Sequence, residues 1–202
     1  MQKIRVWDVP TRVGHWMLAS AFIVALASGD SEAMRLVHVT VGLTFTGVLA
    51  FRLFWGVAGT RYARFTSFLF SPREVYAYLR SIVQGRADHW VGHNPAGSYA
   101  IYLLLLSGVI VAGTGIASYT KVGGDWVEQA HEAVSYLMLG VVGVHVAGVL
   151  VSSKLHRENL VRSMLDGYKQ GMDTQAISSF RPLWLAGLLV IAAAASLLVK
   201  VI

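Results

Sequence analysis

The chain contains no cysteine. That excludes disulfides, thiolate metal sites, iron–sulfur clusters and covalent attachment of a cofactor through a Cys-x-x-Cys-His motif. Any metal or cofactor has to be held by histidine, methionine, tyrosine, carboxylate or backbone. Charge is scarce too. Only 14% of the 202 residues are charged while 55% are hydrophobic, too few charges to cover a soluble globule of this size. Internal repeats and low-complexity tracts are also missing, and the length suits one domain.

The apolar residues fall in long blocks. Five stand out, at about residues 13–28, 36–57, 98–119, 127–151 and 183–201. Each approaches the roughly 20 residues that a helix needs to cross a hydrocarbon core, and none alternates with the period of two that a strand requires. The expected fold is therefore an all-α integral membrane protein. The first block follows Lys3 and Arg5 and contains Ala25-Leu26-Ala27, a small-residue pattern also found at signal-peptide cleavage sites. It carries His15 and several further spans follow it, so an uncleaved first helix is the simpler reading.

The net charge of +6 suggests nucleic acid, but its distribution points to a membrane instead. Fourteen of the 17 Lys and Arg residues lie in the N-terminus and in the 52–97 and 152–182 connections; only Arg35, Lys121 and Lys200 lie on the other side. Basic loops stay in the cytoplasm. This predicts a cytoplasmic N-terminus and, with five spans, a periplasmic C-terminus. The fifth block has no functional residue and reads as a lipid-facing anchor. Within the long connection, Ser71-Pro72-Arg73-Glu74 predicts a helix start with a capping box. Val75, Tyr78, Leu79 and Ile82 then share one face, as in a short helix lying at the membrane interface.

Polar side chains inside a span are costly and usually face the bundle interior. Four histidines sit there: His15, His38, His131 and His145. His131 and His145 are fourteen residues apart, so they share a helix face at a separation of about 21 Å. The topology puts His15 and His145 near the inner surface and His38 and His131 near the outer one. Two pairs at two depths are what two stacked bis-histidine haems need. A single intramembrane histidine is more often a hydrogen-bonded core residue, and a histidine-lined proton or metal pathway would bring acidic partners, which the spans largely lack. His131-Glu132 does not begin a zinc-protease motif, because no second histidine follows at the required spacing. Gly42, Gly47, Gly140, Gly143 and Gly148 offer room for a ring system, or equally ordinary small-residue helix packing.

Several motifs carry a family resemblance. They are Trp7-Asp8-x-Pro10-Thr11-Arg12-x-x-His15-Trp16, His38-x-x-x-Gly42 with Arg52-x-x-Trp55-Gly56, Gly92-His93-Asn94-Pro95-x-Gly97, His131-Glu132, His145, and His156-Arg157-Glu158-Asn159-Leu160. Over about residues 5–170 the chain resembles the bacterial di-haem cytochrome b family of the prokaryotic cytochrome b561 type, which includes the b-type cytochrome subunits of nickel–iron hydrogenases. The resemblance implies a four-helix haem-binding bundle over residues 1–170, with residues 171–202 as a linker and a fifth C-terminal transmembrane helix. It implies two haem b groups, His15 with His145 and His38 with His131.

Arg12 and Arg52 suit pairing with the anionic propionates of the inner haem, or snorkelling to headgroups. His93 suits a propionate contact or a turn. His156 suits a quinone, a propionate or an ordinary loop role, and His89 reads as solvated. The implied function is electron transfer across the bacterial inner membrane. It would run between the quinone pool and a periplasmic partner, either a c-type cytochrome, a hydrogenase or another oxidoreductase. A stand-alone superoxide:quinone oxidoreductase and a non-haem transporter or scaffold are the alternatives. Membrane lipid is the other expected partner, and nucleic acid is not expected.

Overall fold

A computed structural model describes residues 2–86 and 88–200. Four helices are long and apolar enough to cross a membrane: α1 (Val9–Ser28), α2 (Arg35–Ala58), α4 (Pro95–Tyr119) and α5 (Asp125–His156). Between them lies α3 (Pro72–Val83), and after them come α6 (Leu160–Asp166) and α7 (Trp184–Leu197). Two strands outside the apolar blocks, β1 (Gln2–Arg5) and β2 (Tyr168–Gly171), pair antiparallel with Gln2 opposite Gly171.

The long helices form two hairpins, α1 with α2 and α4 with α5, which meet mainly along α2 and α4. The fifth apolar block forms a shorter element than the sequence predicts. α7 and the 3-10 turn after it end at Lys200, which makes 17 residues at most, and Val201 lies outside the described residues. One face of α7 is buried on α2, with Leu188 at 0% and Ala192 at 4% exposure. Its other face, with Val190 and Leu197, is open. The helix is thus packed on one side as well as apolar on the other.

Local sequence explains the helix starts. Asp8 caps α1 by accepting from Thr11 N at 2.8 Å, with Pro10 in the first turn. Ser71 and Glu74 form the predicted capping box of α3, and the two Ser71 donors hold the Glu74 carboxyl below its usual range. On α3 only Tyr78 is buried, which leaves Leu79 and Val83 exposed as an apolar edge. Asn94 caps α4 through Gly97 N.

Asp8 does more than cap. Its carboxylate is fully buried and also accepts from Trp55 Nε1 at 3.1 Å and Thr60 Oγ1 at 2.5 Å. It thereby ties the start of α1 to the end of α2. Asp8→Ala leaves buried donors unpaired and removes a cap, a loss on the order of 2–4 kcal/mol. Denaturation in detergent is expected to show that loss, with Asp8→Asn much milder. A loss no greater than that of an exposed control would overturn this role.

Candidate functional site

Residues seven apart on a helix are two turns apart and share a face. Three helices repeat this spacing at the bundle centre: His15 and Phe22 on α1, continued by Gly29 at its C-cap; His38, Phe45 and Arg52 on α2; His131, Met138 and His145 on α5. Because α2 and α5 run opposite to α1, the triplets stack in three layers. His15, Arg52 and His145 lie toward the end that carries β1, and Gly29, His38 and His131 lie toward the opposite end. Phe22, Phe45 and Met138 form the layer between and belong to one buried cluster with Ala21 and Leu49. α4 contributes glycines at the same spacing, Gly108 against Phe45 and Gly115 against His131.

The histidines meet in the expected pairs. Ring centroids are 6.5 Å apart for His15 and His145, and 6.1 Å for His38 and His131. Imidazole nitrogen sits about 2 Å from a first-row metal, so two rings on opposite sides of one ion have centroids about 6 Å apart. Each pair bridges the two hairpins.

The outer rings are held by backbone. His38 Nδ1–H donates to Ala25 O at 2.9 Å, and His131 Nδ1–H donates to Val111 O at 3.0 Å. Both bonds leave the Nε2 lone pair free, the tautomer that a metal ligand needs. A cavity of about 630 Å³ opens at this pair, lined by Phe22, Gly42 and Gly115 among others. That volume lies in the usual range for a cofactor pocket. Asp30, Asp125, Glu128 and Glu132 stand around it.

The inner pair has a different surround. His15 Nδ1, Arg52 Nη1 and His93 Nδ1 are all buried without a hydrogen-bond partner. Buried polar groups without partners are rare in a native fold, and a cluster of them points to an anionic group that belongs among them. His93 packs between Trp7 and Phe68. Burial, then the neighbouring Arg52, Lys169, His145 and His15, push its pKa down to about 3. Both sites therefore fit haem, one by its cavity and the other by its unpaired donors.

The predicted accessory residues divide. Arg52 and His93 come together beside the inner pair. Arg12 turns away: its guanidinium donates to Leu165 O and covers the Phe180 ring, and its Nε lies against Gly167. Neither arginine snorkels.

Of the five glycines proposed to make room, only Gly42 lines the histidine cavity. Gly47 is pressed against α7, where a Cβ would meet Ala195 Cβ at 2.6 Å. Gly140 and Gly143 are exposed, because nine and twelve residues from His131 turn them about 180° and 120° away from it. Gly148 is exposed as well. His89 is also corrected. It is not solvated, since its side chain is 19% exposed and its Nε2 lies 3.1 Å from Glu158 Oε2. Gly115 and the middle layer carry no motif in the sequence, and Asp8 stands there only within a motif, without its role. The seven-residue spacing was the signal for that layer.

Paired histidines bridging an apolar helical bundle define a membrane haem protein. Residues 6–167 match the family profile described as prokaryotic cytochrome b561, and the chain belongs to that family, whose members are haem b proteins of membrane electron transport. Curated relatives agree. The chain is similar to the "Probable Ni/Fe-hydrogenase B-type cytochrome subunit" of Cupriavidus necator, 26% identical across 83% of this chain and 87% of the relative. It is 24% identical to the "Probable Ni/Fe-hydrogenase 1 B-type cytochrome subunit" of Escherichia coli K12, across 81% and 89%. It is 22% identical to the subunit of the first kind from Rhizobium leguminosarum bv. viciae, across 86% and 92%. No solved structure matches the chain.

Proposed function

We propose that the protein is a di-haem cytochrome that carries electrons across the bacterial inner membrane, between the quinone pool and a periplasmic redox partner. The observation that carries this reading is the two histidine pairs, at bis-ligand spacing and at two depths. His15 and His145 hold the inner haem iron, and His38 and His131 the outer. When bound, haem supplies reversible one-electron chemistry at the iron. Arg52 and His93 offer donors to the inner propionates, and Arg12 keeps the α1–α6 corner closed behind them. Phe22, Phe45 and Met138 exclude water between the two sites and hold the dielectric low, one of the levers on potential.

The basic end is cytoplasmic. α7 completes a fifth crossing, which takes the C-terminus to the periplasm. With the 3-10 turn after it, α7 is roughly 25 Å long, a length that suits local thinning or flanking anchors. The names of the relatives make a nickel–iron hydrogenase the first partner to test, with a c-type cytochrome or another oxidoreductase next. His156, at the inner end, is a candidate for the quinone. The acidic residues around the outer cavity would repel an anion and favour a basic docking face, so superoxide oxidation by the chain alone is the lesser reading.

Haem quantification and reduced-minus-oxidised spectra of the purified chain test this. About two b haems per chain are expected. One would break the two-pair assignment, and none would remove the function.

A further inference from the structure

Beyond the inner pair, at the basic end, a second group of titratable side chains lies buried or partly buried where no metal ligand lies. His89 Nε2 is 3.1 Å from Glu158 Oε2, and Lys169 Nζ is 3.6 Å from the same oxygen. The His89 and His156 rings lie 5.5 Å apart, edge to face. Glu158 Oε1 also accepts from Gln170 N, and Lys169 Nζ donates to Trp90 O. Asp88 precedes His89 in the chain and acts on Tyr78 of α3. The group thus joins the connection before α4, the end of α5 and β2.

This is a poor stabilising device. The Lys169 and Glu158 side chains are only 5% and 9% exposed, and desolvating two charges cancels most of what their attraction returns. Its composition suits proton exchange better. One carboxylate is shared by a lysine and one imidazole, and a second imidazole stacks behind the first. The set can therefore hold one proton more or one fewer without breaking its hydrogen bonds. Burial pushes the Lys169 amine down and Glu158 pulls it back up. The Trp90 carbonyl that accepts from Lys169 lies just before His93 in the chain, so the set adjoins the segment that carries His93 to the inner pair. Through that segment, negative charge arriving at the inner site would act on the set with little screening.

We propose that His89, His156, Glu158 and Lys169 form a proton station that takes up one proton from the cytoplasm when the inner site gains one electron, and returns it when that electron leaves. The inference rests on the di-haem reading above. Charge balances within the step: the electron comes from the redox partner and the proton from cytoplasmic water, and when the electron passes on to its acceptor the proton goes back to the cytoplasm. The proton resides on the imidazole–carboxylate set, and the iron ligands keep their tautomers throughout.

Potentiometric titration of the haem-loaded full chain at several pH values tests the idea. The inner component is first identified by its loss in His145→Ala. Its midpoint should fall as pH rises, by up to about 59 mV for each tenfold drop in proton activity, while the outer component stays nearly flat. Glu158→Gln and, separately, His89→Asn should flatten the inner slope with haem content unchanged. Reduced-minus-oxidised infrared spectra should lose carboxyl or imidazole bands in the same variants. A flat inner midpoint in the wild type would overturn the station, as would a slope that survives in both variants. Fewer than two haems would instead overturn the underlying reading, before any slope is measured.

Discussion

Alanine at His145 is expected to strip one haem from the chain and leave the other in place with its spectrum intact. His15→Ala should give the same species. His38→Ala and His131→Ala should each give the complementary one, and combining His15→Ala with His38→Ala should leave none. The prediction follows from the proposed ligation, with one histidine of each pair on α5 and the other on α1 or α2, across the gap between the hairpins. Removing one axial ligand removes the bridge, and the remaining imidazole faces a void. The two losses should differ in ease of rescue. The outer rings are aimed by Ala25 O and Val111 O, so the surviving outer histidine stays oriented and added imidazole should restore binding well. The inner rings lack such a bond, since His15 Nδ1 has no partner, and rescue there should be weaker. Pyridine haemochrome counts and low-temperature spectra read all of this. If His15→Ala and His38→Ala lose the same haem, the pairing is wrong.

What could be read in advance divides along a physical line. Hydropathy is a local property, so the four spans and the capping box at Ser71 were legible from short windows. Depth follows from span direction, which is why His15 could be matched to His145 and His38 to His131 without contacts. Facing is different. His89 looked solvated because its partner Glu158 lies 69 residues away. The β1–β2 ribbon pairs residues more than 160 apart, and nothing in the polar run Tyr168–Gly171 announces it. Asp8 was visible as part of a motif, but its role depends on Trp55 and Thr60 arriving from the end of α2. The glycines are a separate matter, since helix phase alone would have sorted Gly42 from Gly140 and Gly143.

That sorting yields the second large effect, in which leucine at three glycines of the spans has three different outcomes. Gly47→Leu should damage the fold itself. A Cβ there already lies 2.6 Å from Ala195 Cβ and 3.0 Å from the Ile191 carbonyl, and a backbone cannot yield as a side-chain tip can. Overpacking of this kind costs about 1–3 kcal/mol or more, and α7 would have to leave α2, exposing Leu188 and Phe51. Gly42→Leu should leave the apoprotein as stable as before, because nothing lies within 4 Å of its Cβ position. The new side chain would instead fill the cavity at His38 and His131, lowering haem content from about two per chain to about one. Gly143→Leu, with equally open space but on the far side of α5, would add only lipid-facing surface and should change neither stability nor haem. Denaturation midpoints and haem counts on the three variants separate these outcomes. Equal haem loss in Gly143→Leu and Gly42→Leu would overturn the helix phase, and with it the layered arrangement of His131, Met138 and His145.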